Sequence, residues 1–322
     1  MEKFYKFKPI FKQKMWGGDR IPPFKNMQSP IERIGESWEI SCVPGSESIV
    51  EGGIDDGKSL SQIIFDYGPA LVGTANYRQY GTMFPLLIKF IDACLDLSVQ
   101  VHPDDAVAMK RHGCMGKTEM WYVIDNNKGR ARLCSGLSKE ITPDEYTRLV
   151  DSGRFTEVLD IHDVAPGDVF FLPPGRVHSI GSGCLLAEIQ QTSDITYRIY
   201  DYNRLDADGR PRELHTSLAK EVINFSVGND HATHYIPQKD TPVSIADSPY
   251  FKTKIHDLTR DAVFDLTDRD QFVILICTRG ECFLDIDGAT AGLTRGHTIL
   301  IPAAAQTVKI TTEGVKILET YV

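Results

Sequence analysis

The sequence predicts a mainly β protein of two barrel-type β-units, with a few helices packed around the first. Three observations carry this. Apolar runs of strand length recur at residues 85–90, 97–101, 120–124, 169–172, 185–190, 272–277 and 298–301. Turn formers separate the runs: Gly167-Asp168, Pro173-Pro174-Gly175, Gly181-Ser182-Gly183, Arg279-Gly280, Asp287-Gly288 and Arg295-Gly296. Many short strands punctuated in this way belong to a sandwich or barrel. Third, the stretch from Gly167 to His178 can be laid over that from Gly296 to Thr307, with glycine and proline six residues apart in both. His178 then corresponds to Thr307, which places any chemistry in the first unit.

In chain order, Ser59 caps a helix whose Leu60, Ile63, Ile64 and Tyr67 follow helical spacing. Residues 97–101 continue into His102-Pro103 and alternate strictly, so Ser98, Gln100 and His102 share one face and Leu97, Val99 and Val101 the other. Thr142-Pro143-Asp144-Glu145 reads as a capping box opening a second helix with Tyr146, Leu149 and Val150. A third helix is expected through Leu218, Val222 and Phe225. The polar remainder, 226–248, with Gly228, Pro237 and Pro242, reads as a linker. The expected division is a catalytic domain over 1–235 and a second β-domain without metal ligands over 236–322.

A chain of 322 residues at 42% hydrophobic and 25% charged has room for two cores, and its net charge of -9 argues against nucleic acid and anionic membrane as partners. A few local cations can still bind a phosphorylated small molecule. The N-terminus shows no signal-peptide run, and no stretch has the length of a membrane helix. Seven scattered cysteines with no Cys-x-x-Cys pair point to a reducing cytoplasm rather than a disulfide framework.

The chemistry is expected where His102, Glu119 and His178 meet. Glu119 heads the run after Gly116-Lys117-Thr118, and His178 follows the Pro-Pro-Gly turn. Two imidazoles and a carboxylate from separate strands, with the Gln100 amide oxygen, form a nitrogen–oxygen ligand set suited to Zn²⁺, and less well to Mn²⁺, Co²⁺ or Fe²⁺. The other histidines, His112, His162, His215, His231, His234, His256 and His297, read by default as ordinary hydrogen-bonded residues. Glu188 shares a strand face with Gln190. It reads either as a general base or as a partner that orients a ligand histidine.

Ser-Val-Gln-Val-His-Pro at 98–103, Gly-Lys-Thr-Glu-Met-Trp-Tyr at 116–122, Pro-Pro-Gly-Arg-Val-His at 173–178 and the segment from Glu188 to Arg198 together resemble type I mannose-6-phosphate isomerases of the short bacterial form. The likeness extends to Trp16-Gly17-Gly18, to Gly35-Glu36-Ser37-Trp38-Glu39 and to residues 84–90; it is dense over 1–205 and looser beyond. It implies two cupin (jelly-roll) barrels and a zinc-dependent aldose–ketose isomerase that interconverts mannose 6-phosphate and fructose 6-phosphate, with one Zn²⁺ per chain. The family's metal ligands fall on Gln100, His102, Glu119 and His178, its substrate lysine on Lys117, its essential arginine on Arg198, and its phosphate side on Lys89 and Ser98. The helical insertion of larger eukaryotic members has no counterpart here, so pocket walls built from it do not transfer.

The residue types suit the reaction. Moving a proton between C1 and C2 builds negative charge on oxygen, which a metal and fixed cations stabilise. One glutamate among neutral ligands leaves a dication net positive, attractive to an anionic sugar. Plain structural roles stand beside these: an ion pair with Asp194 or Asp201 for Arg198, a strand-edge pair for Lys89 and Ser98, core packing for Trp16 and Trp38. The competing functions are a non-catalytic sugar-phosphate sensor, which no lost ligand favours, and another metal cupin enzyme such as an iron dioxygenase, which the cations disfavour. The expected partner is a small sugar phosphate, acting on a monomer or homodimer.

Overall fold

The structure, a computed structural model, describes residues 1–205, 208–228 and 231–322. It is mainly β, as the sequence predicts. In the first unit an antiparallel six-stranded sheet runs in the order Ile10–Gly18, Ile34–Ile40, Leu86–Asp92, Leu185–Gln191, Glu119–Asp125, Val169–Leu172. A five-stranded sheet runs Tyr197–Tyr200, Val99–Val101, His178–Ile180, Arg132–Leu137, Leu159–Asp163. The last part of the chain forms an eight-stranded sheet centred on Val273–Ile286.

The central strands of the first unit are buried on both faces, and the two faces differ. Leu86, Ile88 and Phe90, with Leu185, Ala187 and Ile189, point into an apolar core shared with the helix Leu60–Tyr67. Because side chains alternate, Lys89, Glu188, Gln190, Glu119 and Trp121 all leave the opposite face, into the barrel. Charges sealed there must be paired or hold an ion. In the second sheet Val99 and Val101 pack outward with Tyr146, Phe155 and Tyr197, which turns Gln100 inward.

The predicted helix at Ser59 forms, with a complete capping box: Gln62 N donates to Ser59 Oγ and Ser59 N to Gln62 Oε1. At Thr142 half the box forms: Glu145 N donates to Thr142 Oγ1 at the head of Pro143–Asp151. The third helix is shorter than expected. It spans Thr216–Lys220, because Asn224 N turns back to bond Gly175 O at 2.9 Å. Arg279-Gly280 is a bulge rather than a turn. The register slips between Cys277 and Arg279, and Gly280 (φ 73°) lets one strand run on from Val273 to Ile286. Asp287-Gly288 is a two-residue hairpin turn with both φ positive, matching the twist of its strands. The internal likeness has structural counterparts: Val169–Leu172 and Thr298–Ile301 are both strands, and His178 and Thr307 each open the next.

The two units share a core. Tyr5 exchanges backbone hydrogen bonds with Leu300, and the Phe84 and Phe272 rings lie 4.6 Å apart. Buried Lys25 bonds Glu39 and the Gly296 carbonyl.

Candidate active site

Both sheets of the first unit supply the site. Glu119 opens its strand opposite Leu172 and Gln190. Gln100 sits between two neighbours in register, His178 on one side and Arg198 on the other. His102 lies one residue past its strand, where Gly175 N of the Pro-Pro-Gly turn donates to its carbonyl at 2.9 Å. The turn that delivers His178 thus also fixes His102.

The donor atoms converge. His102 Nε2 and His178 Nε2 are 3.1 Å apart. Glu119 Oε1 lies 3.3 Å from His178 Nε2, and its Oε2 lies 3.6 Å from His102 Nε2. Gln100 reaches the group with its amide nitrogen, 3.3 Å from His178 Nε2, so the oxygen expected as a ligand reaches the centre only when the amide is turned by 180°. His178 Nδ1 donates to Arg176 O at 2.8 Å, which leaves Nε2 with its lone pair. Lys117 Nζ stands 3.0 Å from His102 Nε2, which accepts from it. Two imidazole lone pairs therefore face one another beside a carboxylate. Burial pushes the pKa of His178 down to about 3 and that of His102 well below its ordinary value, aided by Lys117, so both rings are neutral. Burial pushes the Glu119 carboxyl up, against the pull of Lys117 2.9 Å away.

These residues fit a metal. Both Glu119 oxygens are buried with no aligned hydrogen-bond donor, an arrangement costly in a dry pocket unless a cation satisfies it. Ligand atoms about 2.0–2.1 Å from a tetrahedral Zn²⁺ sit about 3.3 Å from each other, close to the spacings found here. Among the described residues two such groups of potential ligands occur, and this is the fully buried one.

Glu188 lies across from Lys89 and Trp121 in the sheet and bonds both: Lys89 Nζ to Oε1 and Trp121 Nε1 to Oε2, each at 2.9 Å. Burial would raise its pKa, but the Lys89 and Lys117 charges and the hydrogen bonds from Lys89 and Trp121 together outweigh burial and hold the carboxyl well below its usual range. Glu188 makes no hydrogen bond to a ligand histidine. It holds Trp121, whose ring packs edge-on against His178 with centroids 5.4 Å apart. Lys89 also donates to Gln190 Oε1 at 2.8 Å and lies 5.2 Å from the Trp38 ring centroid. Ser98 is buried just before the strand Val99–Val101.

Arg198 makes no ion pair among the described residues. Asp201 pairs instead with Arg204 and with Arg212, the latter through Nε at 2.7 Å. Among the described residues the Arg198 side chain gives one bond, from Nη1 to Glu213 O at 2.8 Å, and its buried Nε has none. Burial and then the Arg212 charge lower its pKa. The arrangement is an arginine-rich corner beside Gln100, suited to an anion. Trp121 and Arg212 were not singled out in the sequence. Trp121, two residues from Glu119 on the same strand face, was findable by alternation, whereas nothing in the spacing marks Arg212.

The chain matches the catalytic domain of type I phosphomannose isomerase over residues 4–134 and the mannose-6-phosphate isomerase cupin domain over residues 243–321. It is 38% identical to mannose-6-phosphate isomerase ManA of Bacillus subtilis over 92% of both chains. To the mannose-6-phosphate isomerase of Streptococcus mutans it is 30% identical over 91% of this chain and 92% of the other. The crystal structure of the mannose 6-phosphate isomerase from Bacillus subtilis superposes on it with a TM-score of 0.85 and 30% identity, covering 100% of each. With its cupin architecture, its buried His-Glu-His group and relatives of one activity spanning nearly its full length, the chain belongs to the type I mannose-6-phosphate isomerase family.

Proposed function

We propose that this enzyme interconverts mannose 6-phosphate and fructose 6-phosphate through an enediolate, with one Zn²⁺ held by Gln100, His102, Glu119 and His178. The observation that supports this best is the pair of facing Nε2 lone pairs beside an unsatisfied carboxylate. A bound dication supplies Lewis-acid stabilisation of the negative charge that builds on the sugar oxygens. Lys117, already in contact with two of the four ligands, presents its ammonium to a sugar hydroxyl. Arg198, one strand over from Gln100, meets the phosphate or the developing oxyanion.

Both Glu188 oxygens are engaged and the carboxyl is strongly ionised, which makes it a weak base. We assign Glu188 to positioning, through Trp121, and Lys89 to fixing the charge of Glu188. Ser98 remains the phosphate-side hydroxyl of this reading. The 1–235 portion carries the whole site, and 236–322 buttresses it. No helix among the described residues is long and apolar enough to cross a membrane, and all seven cysteines are free, which fits a reducing cytoplasm.

The test is turnover of mannose 6-phosphate to fructose 6-phosphate by zinc-loaded protein, before and after complete chelation. The proposal expects activity that chelation abolishes and zinc restores. No turnover when loaded defeats the substrate assignment, and undiminished turnover after chelation defeats the metal.

A further inference from the structure

We infer that Asp160, His162 and His231 form a second divalent-metal site, built from residues distinct from the catalytic set. The sequence reads His162 and His231 as ordinary hydrogen-bonded residues and does not single out Asp160, and the fold brings the three together. Asp160 and His162 alternate along Leu159–Asp163, the outermost strand of the five-stranded sheet, so both side chains leave one face. His231 arrives from the connection between the two β-units. Its backbone is pinned, since Ser135 Oγ donates to its carbonyl at 2.8 Å and Thr233 N donates to Val169 O at 2.8 Å. Its ring is seated over Gly136, where a Cβ would come within 2.6 Å of His231 Nε2. A glycine at this point keeps space for the imidazole.

The donor atoms are close: His162 Nε2 is 3.1 Å and His231 Nδ1 2.5 Å from Asp160 Oδ2, and all three lie within 4.8 Å of one another. A plain Asp bridging two histidines would take an aligned N–H from each. His162 Nε2 is instead buried with no hydrogen-bond partner despite its distance, as a lone pair turned toward a shared centre would be. Ion binding requires the His231–Asp160 pair to open toward the ligand spacing of about 3.3 Å around a tetrahedral ion. Two imidazoles and one carboxylate select Zn²⁺ or a neighbouring transition ion over Ca²⁺ or Mg²⁺, which prefer oxygen. Side-chain exposures of 32% for Asp160, 25% for His162 and 8% for His231 leave the cluster open on one side to water. The ion would clip the connecting chain to the edge of the five-stranded sheet, with a structural role.

The proposal stands apart from the isomerase reading and is tested on the full chain. Metal-free protein is dialysed against Zn²⁺, and zinc per chain and turnover are measured for wild type, His162→Gln, Asp160→Asn and His178→Ala. The expected zinc content is two equivalents for wild type and one for each variant, with turnover lost in His178→Ala alone. His162 lies at a partly exposed edge, and a urea midpoint in chelator equal to that of wild type confirms that His162→Gln is folded. A wild type that binds one equivalent, lost in His178→Ala, overturns the second site and leaves the catalytic one. A second equivalent that persists in both His162→Gln and Asp160→Asn also overturns it, because the zinc then sits elsewhere, on exposed thiols for example.

Discussion

The Lys89–Glu188 pair offers the sharpest energetic test of the barrel interior. Lys89 is 4% and Glu188 3% exposed, and the charged atoms are 2.9 Å apart. At that separation and an effective dielectric constant near 20, their attraction is about 6 kcal/mol. Much of it offsets desolvation, so the pair as a whole contributes modestly. Removing one partner leaves the other charge buried, which costs roughly 3–5 kcal/mol. The assay is a double-mutant cycle on zinc-loaded protein, unfolded in urea: wild type, Lys89→Met, Glu188→Gln and the double variant. Each single change is expected to lose that amount. The double variant should lose less than the sum by about 2 kcal/mol or more, because neither member of the pair is left without the other. Losses that add within about 0.5 kcal/mol would refute the reasoning, since the two groups would then not be coupled.

In the second unit, burial alone would raise the Glu319 carboxyl, but hydrogen bonds from His256 and Arg269 hold it at about 2 against an ordinary 4.5. Its stabilising effect is therefore fully present above pH 4.5 and lost as pH falls toward 2, roughly 3 kcal/mol in all. Glu319→Gln should accordingly flatten the fall in urea midpoint between pH 6 and pH 3, and an unchanged slope would count against the carboxylate. Gly136→Ala must place a side chain at φ 93° and against the His231 ring. It is expected to cost roughly 1–3 kcal/mol and to weaken zinc retention at the second site, read by melting temperature and metal analysis. Thr142→Ala removes the oxygen that accepts from Glu145 N and should cost about 1 kcal/mol with kcat/KM unchanged.

Much of the candidate site's geometry was legible because alternation along a strand is strict. Once 97–101 is extended, Gln100 and His102 must share a face, and Glu119 and His178 each open a strand whose start a turn announces. The strand 298–301 was readable to the residue because a glycine turn feeds it and Pro302 stops it. The long strand Val273–Ile286 was read only in part, since its bulge at Arg279-Gly280 carries the composition of a turn. The helix Asp105–His112 escaped notice because Ala108 is its one buried residue, which leaves no apolar period to detect; Asp104 caps it from outside. The partners of Glu188 and Arg198 lay beyond reach for a different reason. Which cation a buried carboxylate faces depends on register between strands distant in sequence, as Lys89 opposite Glu188 shows.

The central claim, that Glu119 and the two histidines hold the ion on which isomerisation depends, is tested most directly by His178→Ala, with zinc content and turnover of mannose 6-phosphate measured on the same samples. The ring it removes supplies an Nε2 3.1 Å from His102 Nε2 and 3.3 Å from Glu119 Oε1. The variant is expected, against wild type, to lose one equivalent of zinc together with its turnover. Turnover that persists, or zinc content equal to that of wild type, would contradict it.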